Sequence, residues 1–320
     1  MTNFELLVTL WPSFPHFQKF SRDNRLAGIR LNSAMMDCPA LAEELTRLGD
    51  YRDDESGDRV PLWFDIKGRQ PRVVEVIESA DRLDVRLNHA ISVETPVPVL
   101  FKAGEDHALL DHLEELGQRL VFAPGASHGP ANIVRAGESL HIRHPSFKIH
   151  APLFTDAEVE KVKQVRVAGI NRWFLSYVEE WDDVAQFLAL VGEEAEVMLK
   201  IESRRGVKFV RDEWVKHQNL TLVAARGDLY VEIDRPHAIA EPLRLIAEWD
   251  PKAVVGSRIL LSTIQSAVPS CSDFLDLEWL ADIGYRRMML CDELCLKDAL
   301  LSRAVNAFDA WKREWSGTSA

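Results

Sequence analysis

At 320 residues the chain can bury one large core or two smaller ones. A formal charge of −12 argues against nucleic acid or an anionic membrane as the main partner, although a local basic pocket can still take a small anion. No apolar run reaches the ~20 residues of a membrane span, and the start MTNFELLVTLWPSF lacks the basic region and cleavage site of a signal peptide, so a cytoplasmic protein is expected.

In chain order, strands are expected first at Glu5–Leu10, Gly28–Asn32 and Pro61–Ile66, with a helix near 39–49. Between Arg72 and Pro152 the pattern changes to short strands at Val73–Ile77, Arg82–Leu87, Val97–Phe101, Gln118–Phe122, Ile133–Ala136 and Leu140–Ile142. A helix near 106–116 and turn material at Pro124–Pro130 interrupt them. Thr155-Asp156-Ala157-Glu158 then reads as a capping box opening a helix over 156–167. Strands at Ile170–Tyr177, Glu196–Glu202, Leu220–Ala225, Arg258–Thr263 and Tyr285–Leu290 alternate with helices near 180–192, 204–216, 237–249 and 273–283. A last helix near 296–315 leads into a tail, Ser316–Ala320, read as disordered. Alternating strand and helix implies a parallel sheet with right-handed crossovers, and eight such strands suggest closure into a (β/α)₈ TIM barrel, an α/β fold. The expected division is a barrel from 1–72 and 152–320, with a small, mostly β domain, 73–151, inserted after strand three as a lid. The cysteines Cys38, Cys271, Cys291 and Cys295 fit reduced thiols better than a disulfide framework.

Two motifs carry candidate chemistry. In Met198-Leu199-Lys200-Ile201-Glu202 alternate side chains share one strand face, so Lys200 and Glu202 point the same way as Met198. Opposite charges closing an apolar strand must be exposed or paired, and the C-terminal ends of barrel strands are where catalytic side chains sit. After the next strand comes Ala225-Arg226-Gly227-Asp228, where Gly227 permits a tight turn and nearby amides can face an anion. Glu202 and Asp228, from adjacent strands, are a candidate pair for one Mg²⁺ or Mn²⁺. The competing readings are a structural ion pair and a surface turn; their order on consecutive strands argues against both. His141, His144 and His150 lack partners at zinc-finger spacing and read as surface or core residues. Trp63, Trp173, Trp279, Trp311 and Trp315 read as packing residues.

These motifs resemble the pyruvate kinase family. Its K-I-E-N and A-R-G-D-L-G are matched by Lys200-Ile201-Glu202-Ser203 and Ala225-Arg226-Gly227-Asp228-Leu229-Tyr230. Its A-R-L-N-F-S-H is matched by Ile29-Arg30-Leu31-Asn32-Ser33-Ala34-Met35, and its L-D-T-K-G-P-E-I-R by Phe64 to Arg72. Thr9-Leu10-Trp11-Pro12 and Ser262-Thr263-Ile264-Gln265-Ser266 are weaker matches to T-I-G-P and A-T-Q-M-L. The resemblance implies that Glu202 and Asp228 bind the divalent metal. It implies that Lys200 neutralises a phosphoryl group in flight, that Arg30 holds the phosphate of phosphoenolpyruvate, and that the amides at Gly227 and Asp228 hold its carboxylate. Thr263 would meet substrate at the proton-transfer face, and Arg72 and Pro12 would hold ADP or ATP. A homo-oligomer is compatible with the family.

The match has gaps. Of four expected ligands for K⁺, Asn32 and Asp65 remain while Ala34 and Ile66 replace oxygen-bearing residues, which argues against that site. Met35 replaces a histidine, the basic exit from the lid is poorly matched by Leu140 to Pro145, and S-G-E-T becomes Cys291-Asp292-Glu293-Leu294. The chain stops after the eighth helix, so the family's C-terminal regulatory domain is expected to be absent. Three readings follow: a Mg²⁺-dependent phosphotransferase using phosphoenolpyruvate or a similar enol phosphate with a nucleotide; a Mg²⁺-dependent lyase or aldolase working through a pyruvate enolate; and a non-catalytic sensor of a 2-oxo acid or nucleotide. Retention of Lys200 favours the first, and erosion around Ala34, Met35 and the lid favours the other two.

Overall fold

In the computed structural model, residues 4–49, 51, 59–78, 82–101, 104, 106–124, 134–150 and 152–318 are described. Strands β1 (Glu5–Thr9), β2 (Leu26–Asn32) and β3 (Leu62–Ile66) come first. Eight short strands follow: β4 (Val73–Glu78), β5 (Leu83–Leu87), β6 (Ala90–Ser92), β7 (Val97–Phe101), β8 (Asp106–Glu114), β9 (Arg119–Phe122), β10 (Leu140–His141) and β11 (Lys148–His150). The series ends with β12 (Arg172–Leu175), β13 (Glu196–Ile201), β14 (Leu220–Ala225), β15 (Val254–Gly256) and β16 (Arg287–Met289).

The first three and last five strands pair in parallel and in sequence order, and β16 closes on β1 to complete the barrel expected from the sequence. Period-two alternation explains its two cores. Trp63, Phe174, Met198, Val223, Val254, Leu7 and Met289 fill the interior, so the barrel is packed and not a pore. Their strand neighbours, such as Phe64, Trp173, Leu199 and Leu222, face outward and join the shell of helices in one large cluster. That shell includes Cys38–Leu48, Asp156–Val167, Trp181–Val191, Arg204–Asp212, Ala240–Trp249, Cys271–Asp282 and Asp298–Thr318. The capping box at Thr155 forms as read: its hydroxyl accepts from the Glu158 amide, and the Glu158 carboxylate accepts from the Thr155 amide. Between β3 and β12 lie a six-stranded sheet, in the order β10-β7-β8-β9-β5-β4, and the two-stranded pair β11-β6.

Four expectations need correction. The helix near 106–116 is strand β8, in which Asp106, Ala108 and Leu110 are buried while His107 and Leu109 between them are exposed. Its apolar spacing fits either period, and pairing with β7 and β9 decides for the strand. The seventh barrel strand is Val254–Gly256; the segment read as Arg258–Thr263 instead turns, with left-handed backbone at Ser257, Arg258 and Leu260, into a 3₁₀ helix at Leu261–Ile264. Its apolar residues Ile259 and Leu260 are buried, which is why the run resembles a strand. Val134–Ala136 form no strand, while Ile133 and most of the Pro124–Pro130 turn lie outside the described residues. The tail read as disordered continues the last helix to Thr318, and residues 319–320 lie outside the description. Strands β6 and β11 and the helix Arg226–Glu232 were not expected. Among the described residues, no helix is long and apolar enough to cross a membrane.

Trp173 is fully buried and meets Phe64 and Phe187 edge-on at 5.9 Å each, so it ties β12 to β3 and to a shell helix. Trp173→Ala should lower unfolding free energy by about 3–5 kcal/mol, the usual range for emptying a buried aromatic site. Urea denaturation followed by tryptophan fluorescence and circular dichroism would measure it; a loss under about 1 kcal/mol would contradict this packing role.

Candidate functional site

Strand register brings the charged residues to one end of the barrel. Thr9 pairs beside Arg30, and Asn32 beside Asp65, so three neighbouring strands deliver polar groups at one level. On β13, the face that places Met198 in the interior continues to Lys200 and, one residue past the strand's end, to Glu202. The loop after β12 adds Ser176 and Tyr177; the short helix after β14 adds Asp228 in its first turn; the segment after β16 adds Asp292. Of these, Arg30, Asn32, Lys200, Glu202, Asp228 and Asp292 line a cavity of about 420 Å³, to which the segment after β3 adds Arg72 and the insert adds Glu138 and Ser139.

Asp65, fully buried, is the electrostatic centre. Its Oδ2 accepts from Arg30 Nε and Lys67 Nζ, both at 2.7 Å, and lies 3.6 Å from Lys200 Nζ. Its Oδ1 accepts from Ser176 Oγ at 3.2 Å. Burial alone would raise the Asp65 carboxyl, but Lys200, Lys67 and Arg30 together hold it far below the usual carboxylate range. Burial pulls the Lys67 ammonium well below its ordinary value despite Asp65. Burial also opposes the charge on Lys200, yet Asp65 and Glu202 raise it overall.

Lys200 Nζ donates to Ser176 Oγ at 2.8 Å and lies 2.7 Å from Glu202 Oε1. Glu202 Oε2 accepts from the Tyr177 amide at 2.8 Å, which is aimed there by left-handed backbone at Tyr177, φ 57°. Glu202 Oε1 has no aligned hydrogen-bond donor. Burial and the nearby charge of Asp228 raise the Glu202 carboxyl, with Lys200 pulling the other way. Asp228 is held from behind: Arg226 donates to both carboxylate oxygens of Asp276, at 2.7 and 2.8 Å, and to Ser257 O at 2.9 Å, which anchors the short helix. Tyr177, His141 and Glu232 form a buried cluster beside it. His141, on β10, has Nδ1 at 2.6 Å from Glu232 Oε1 and Nε2 at 3.5 Å from Asp228 Oδ1. Burial disfavours charge on His141, but Glu232 and Asp228 raise its pKa overall.

Lys200, Glu202, Asp228, Arg30, Asn32 and Arg72 all line the cavity. Four other expected residues, Asp65, Thr263, Pro12 and Gly227, do not. Thr263 is buried away from it, with its hydroxyl donating to Leu260 O at 2.6 Å, because the segment after β15 turns before reaching it; Ser257 faces the cavity instead. Pro12 lies in the turn after β1 and Gly227 is packed against Ser257, where an added Cβ would lie 2.7 Å from Ser257 Oγ. Asn32 and Asp65, the pair considered for K⁺, have their oxygens engaged by protein donors, Asn32 Oδ1 accepting from the Ala34 amide. Sequence reasoning missed Ser176, Tyr177, Asp292 and His141; the first three follow the ends of barrel strands, a positional signal, whereas His141 depends on how the insert folds back.

The donor set suits a hard divalent cation. Among the described residues no group of three or more His, Cys, Asp or Glu stands ready for a metal. Glu202 and Asp228 offer two carboxylates to one cavity, a donor pair that could hold an ion of the Mg²⁺ type with waters and substrate oxygens in its shell; Glu202 Oε1, 2.7 Å from Lys200 Nζ, would be shared with that ammonium.

A family profile, that of the pyruvate kinase barrel domain, matches residues 131–293. Among curated proteins, the chain is similar to pyruvate kinase of Debaryomyces hansenii, 24% identical over 42% of this chain and 27% of the relative. It is also similar to pyruvate kinase 1 of Saccharomyces cerevisiae, 29% identical over 32% of this chain and 21% of the relative. Pyruvate kinase 2 of Candida glabrata is 30% identical over 37% of this chain and 23% of that protein. The matches thus span about a quarter of the length of these relatives.

Removing the charge of Asp65 tests the electrostatic centre. Asp65→Asn leaves Arg30, Lys67 and Lys200 without their shared counter-charge and should destabilise the fold by about 3–5 kcal/mol. Because the folded carboxyl is depressed, the wild-type contribution is fully present above the unfolded value of about 3.9 and is lost as pH falls towards the folded one. Thermal unfolding of both proteins from pH 8 to pH 3 should show the gap narrowing only at the acid end; equal melting temperatures at pH 7 would refute the assignment.

Proposed function

The chain belongs to the pyruvate kinase family, and from that premise we propose that its barrel is a divalent-metal-dependent enzyme working through the enolate of a pyruvate-like 2-oxo acid. The observation that supports this best is the meeting of Glu202, Asp228 and Lys200 in one cavity. Glu202 and Asp228 would hold the metal, Mg²⁺ or Mn²⁺, which supplies positive charge to a developing enolate oxygen. Lys200, kept charged by Asp65 and Glu202, adds a fixed ammonium to the same cavity at no cost in reorganisation. Ser176 accepts a hydrogen bond from that ammonium, and the Tyr177 amide holds one oxygen of Glu202 while the other lies 2.7 Å from Lys200 Nζ.

Two reactions share this half of the site. Phosphoryl transfer between an enol phosphate and a nucleotide is supported by Lys200, which would neutralise the transferring group. Carbon–carbon cleavage or condensation through the same enolate needs no nucleotide, and one observation favours it. Arg72, expected at the nucleotide, donates to Gly137 O at 2.5 Å and to Gln70 Oε1, and Pro12 does not line the cavity. The enolate reaction is therefore the reading adopted, with phosphotransfer as the second.

Glu202→Gln and Asp228→Asn should each weaken Mn²⁺ binding by at least about tenfold, since each removes one anionic oxygen from a hard cation. Titration followed by electron paramagnetic resonance would show it, and wild-type affinity in both variants would end the metal assignment.

Lys200→Met separates the two reactions. The substitution keeps length and apolar bulk while removing the charge. If phosphoryl transfer is catalysed, it should fall by about 10²–10³, as for other groups acting mainly on transition-state charge, whereas pyruvate proton exchange should persist. NMR in D₂O, following pyruvate deuteration and phosphoenolpyruvate consumption with ADP, reads both. Wild-type phosphoenolpyruvate consumption that collapses in Lys200→Met would replace the adopted reading with the kinase; absence of both signals in the wild type would favour a sensor.

A further inference from the structure

Every cation that lines the cavity is already engaged by the protein. Arg30 lines the cavity, yet its Nε and Nη2 both reach Asp65 Oδ2 at 2.7 Å, and Nη1 reaches Asp292 Oδ1 at 2.8 Å and Thr9 Oγ1 at 3.3 Å. The Asp292 side chain is 42% exposed, so it meets Arg30 from the open side of the cavity, where an incoming anion would arrive. It is pinned there by Asn32 Nδ2, which donates to its Oδ2 at 2.5 Å. Lys67 is paired with Asp65, Lys200 with Glu202, and Arg72 with Gly137 O and Gln70. The balance of charge agrees: four cations line the cavity against five carboxylates, Glu138, Glu202, Asp228, Asp292 and Glu293, and buried Asp65 lies directly beneath. A divalent ion would bring this set close to neutrality, leaving nothing to offset a phosphate dianion.

We propose that Asp292 is a specificity-determining residue that acts as a built-in anion on Arg30 and excludes phosphorylated substrates, so that the cavity takes its 2-oxo acid unphosphorylated. The inference rests on the enolate reading above and narrows its substrate class. A phosphate would have to displace Asp292 from Arg30 and would then face the released carboxylate within a few ångströms, so the same side chain disfavours it twice. A singly charged 2-oxo acid brings no second anionic group that must compete for Arg30, and so leaves the Arg30–Asp292 pair intact.

The test measures binding of pyruvate, phosphoenolpyruvate and inorganic phosphate to the Mn²⁺-loaded full chain by calorimetry at pH 8 and constant ionic strength. Wild type should bind pyruvate more tightly than phosphoenolpyruvate. Asp292→Asn should gain at least about tenfold for phosphate and for phosphoenolpyruvate, while pyruvate changes by less than about threefold. Asp292→Ser, which removes the carboxylate and shortens the side chain, should behave alike and serves if the asparagine variant is not folded by circular dichroism. Tighter wild-type binding of phosphoenolpyruvate than of pyruvate, or no gain for phosphate in a folded variant, would overturn the proposal. Failure of pyruvate to bind the Mn²⁺-loaded wild type would instead sink the enolate reading, and the phosphate comparison between wild type and variant would still decide what Asp292 does.

Discussion

A single buried carboxylate holds the mouth of this barrel together. Arg30, Lys67 and Lys200 come from β2, the segment after β3, and β13, and all three point at Asp65. Like charges this close repel unless an anion sits between them, and Asp65 can do so only because the barrel holds β3 beside β2 and β12 beside β13. Such buried ion clusters are weak sources of net stability, since desolvation offsets most of the attraction, but removing one member is costly. What Asp65 contributes is arrangement: it fixes where three cations stand and keeps Lys200 charged.

The surrounding backbone is strained where the chemistry is proposed. Tyr177, Ser257, Arg258 and Leu260 all adopt positive φ, which L residues with side chains rarely do. Each such residue costs on the order of 1–3 kcal/mol, supplied by the packing of the barrel beneath. At Tyr177 the outcome is specific, because the strained residue aims its amide at Glu202 while its hydroxyl donates to Glu232 at 2.8 Å. At Ser257 the strain places a small polar side chain at the cavity and its carbonyl within reach of Arg226. Strain and anchoring thus converge on Glu202 and Asp228, the two carboxylates proposed to hold the metal.

The inserted segment joins the same network. His141 reaches from β10 to Glu232, Tyr177 and Asp228, and Arg143 donates to Val231 O and, at 3.3 Å, to Tyr230 O. The insert and the short helix bearing Asp228 are therefore physically coupled, and the environment of Asp228 depends on a strand more than eighty residues earlier in the chain.

Local sequence determined a good deal. Strand periodicity, the alternation with helices and the Thr155 capping box were legible because they arise between near neighbours, and so was the common face of Met198, Lys200 and Glu202. Residue chemistry at strand ends marked Lys200, Glu202 and Asp228 as one site once eight strands implied a barrel. Only the tertiary structure decided β8, whose apolar spacing suits both periods until two neighbours pair with it. The segment from Ser257 to Ile264 was also beyond local reading, since its apolar run packs in the core through turns and not as a strand. The same holds for Asp292 and His141, which lie 262 and 87 residues from Arg30 and Asp228 respectively, the groups they meet. Electrostatic contacts of that kind act through space, so nothing in the residues flanking either position records them, and they exist only after the barrel has closed.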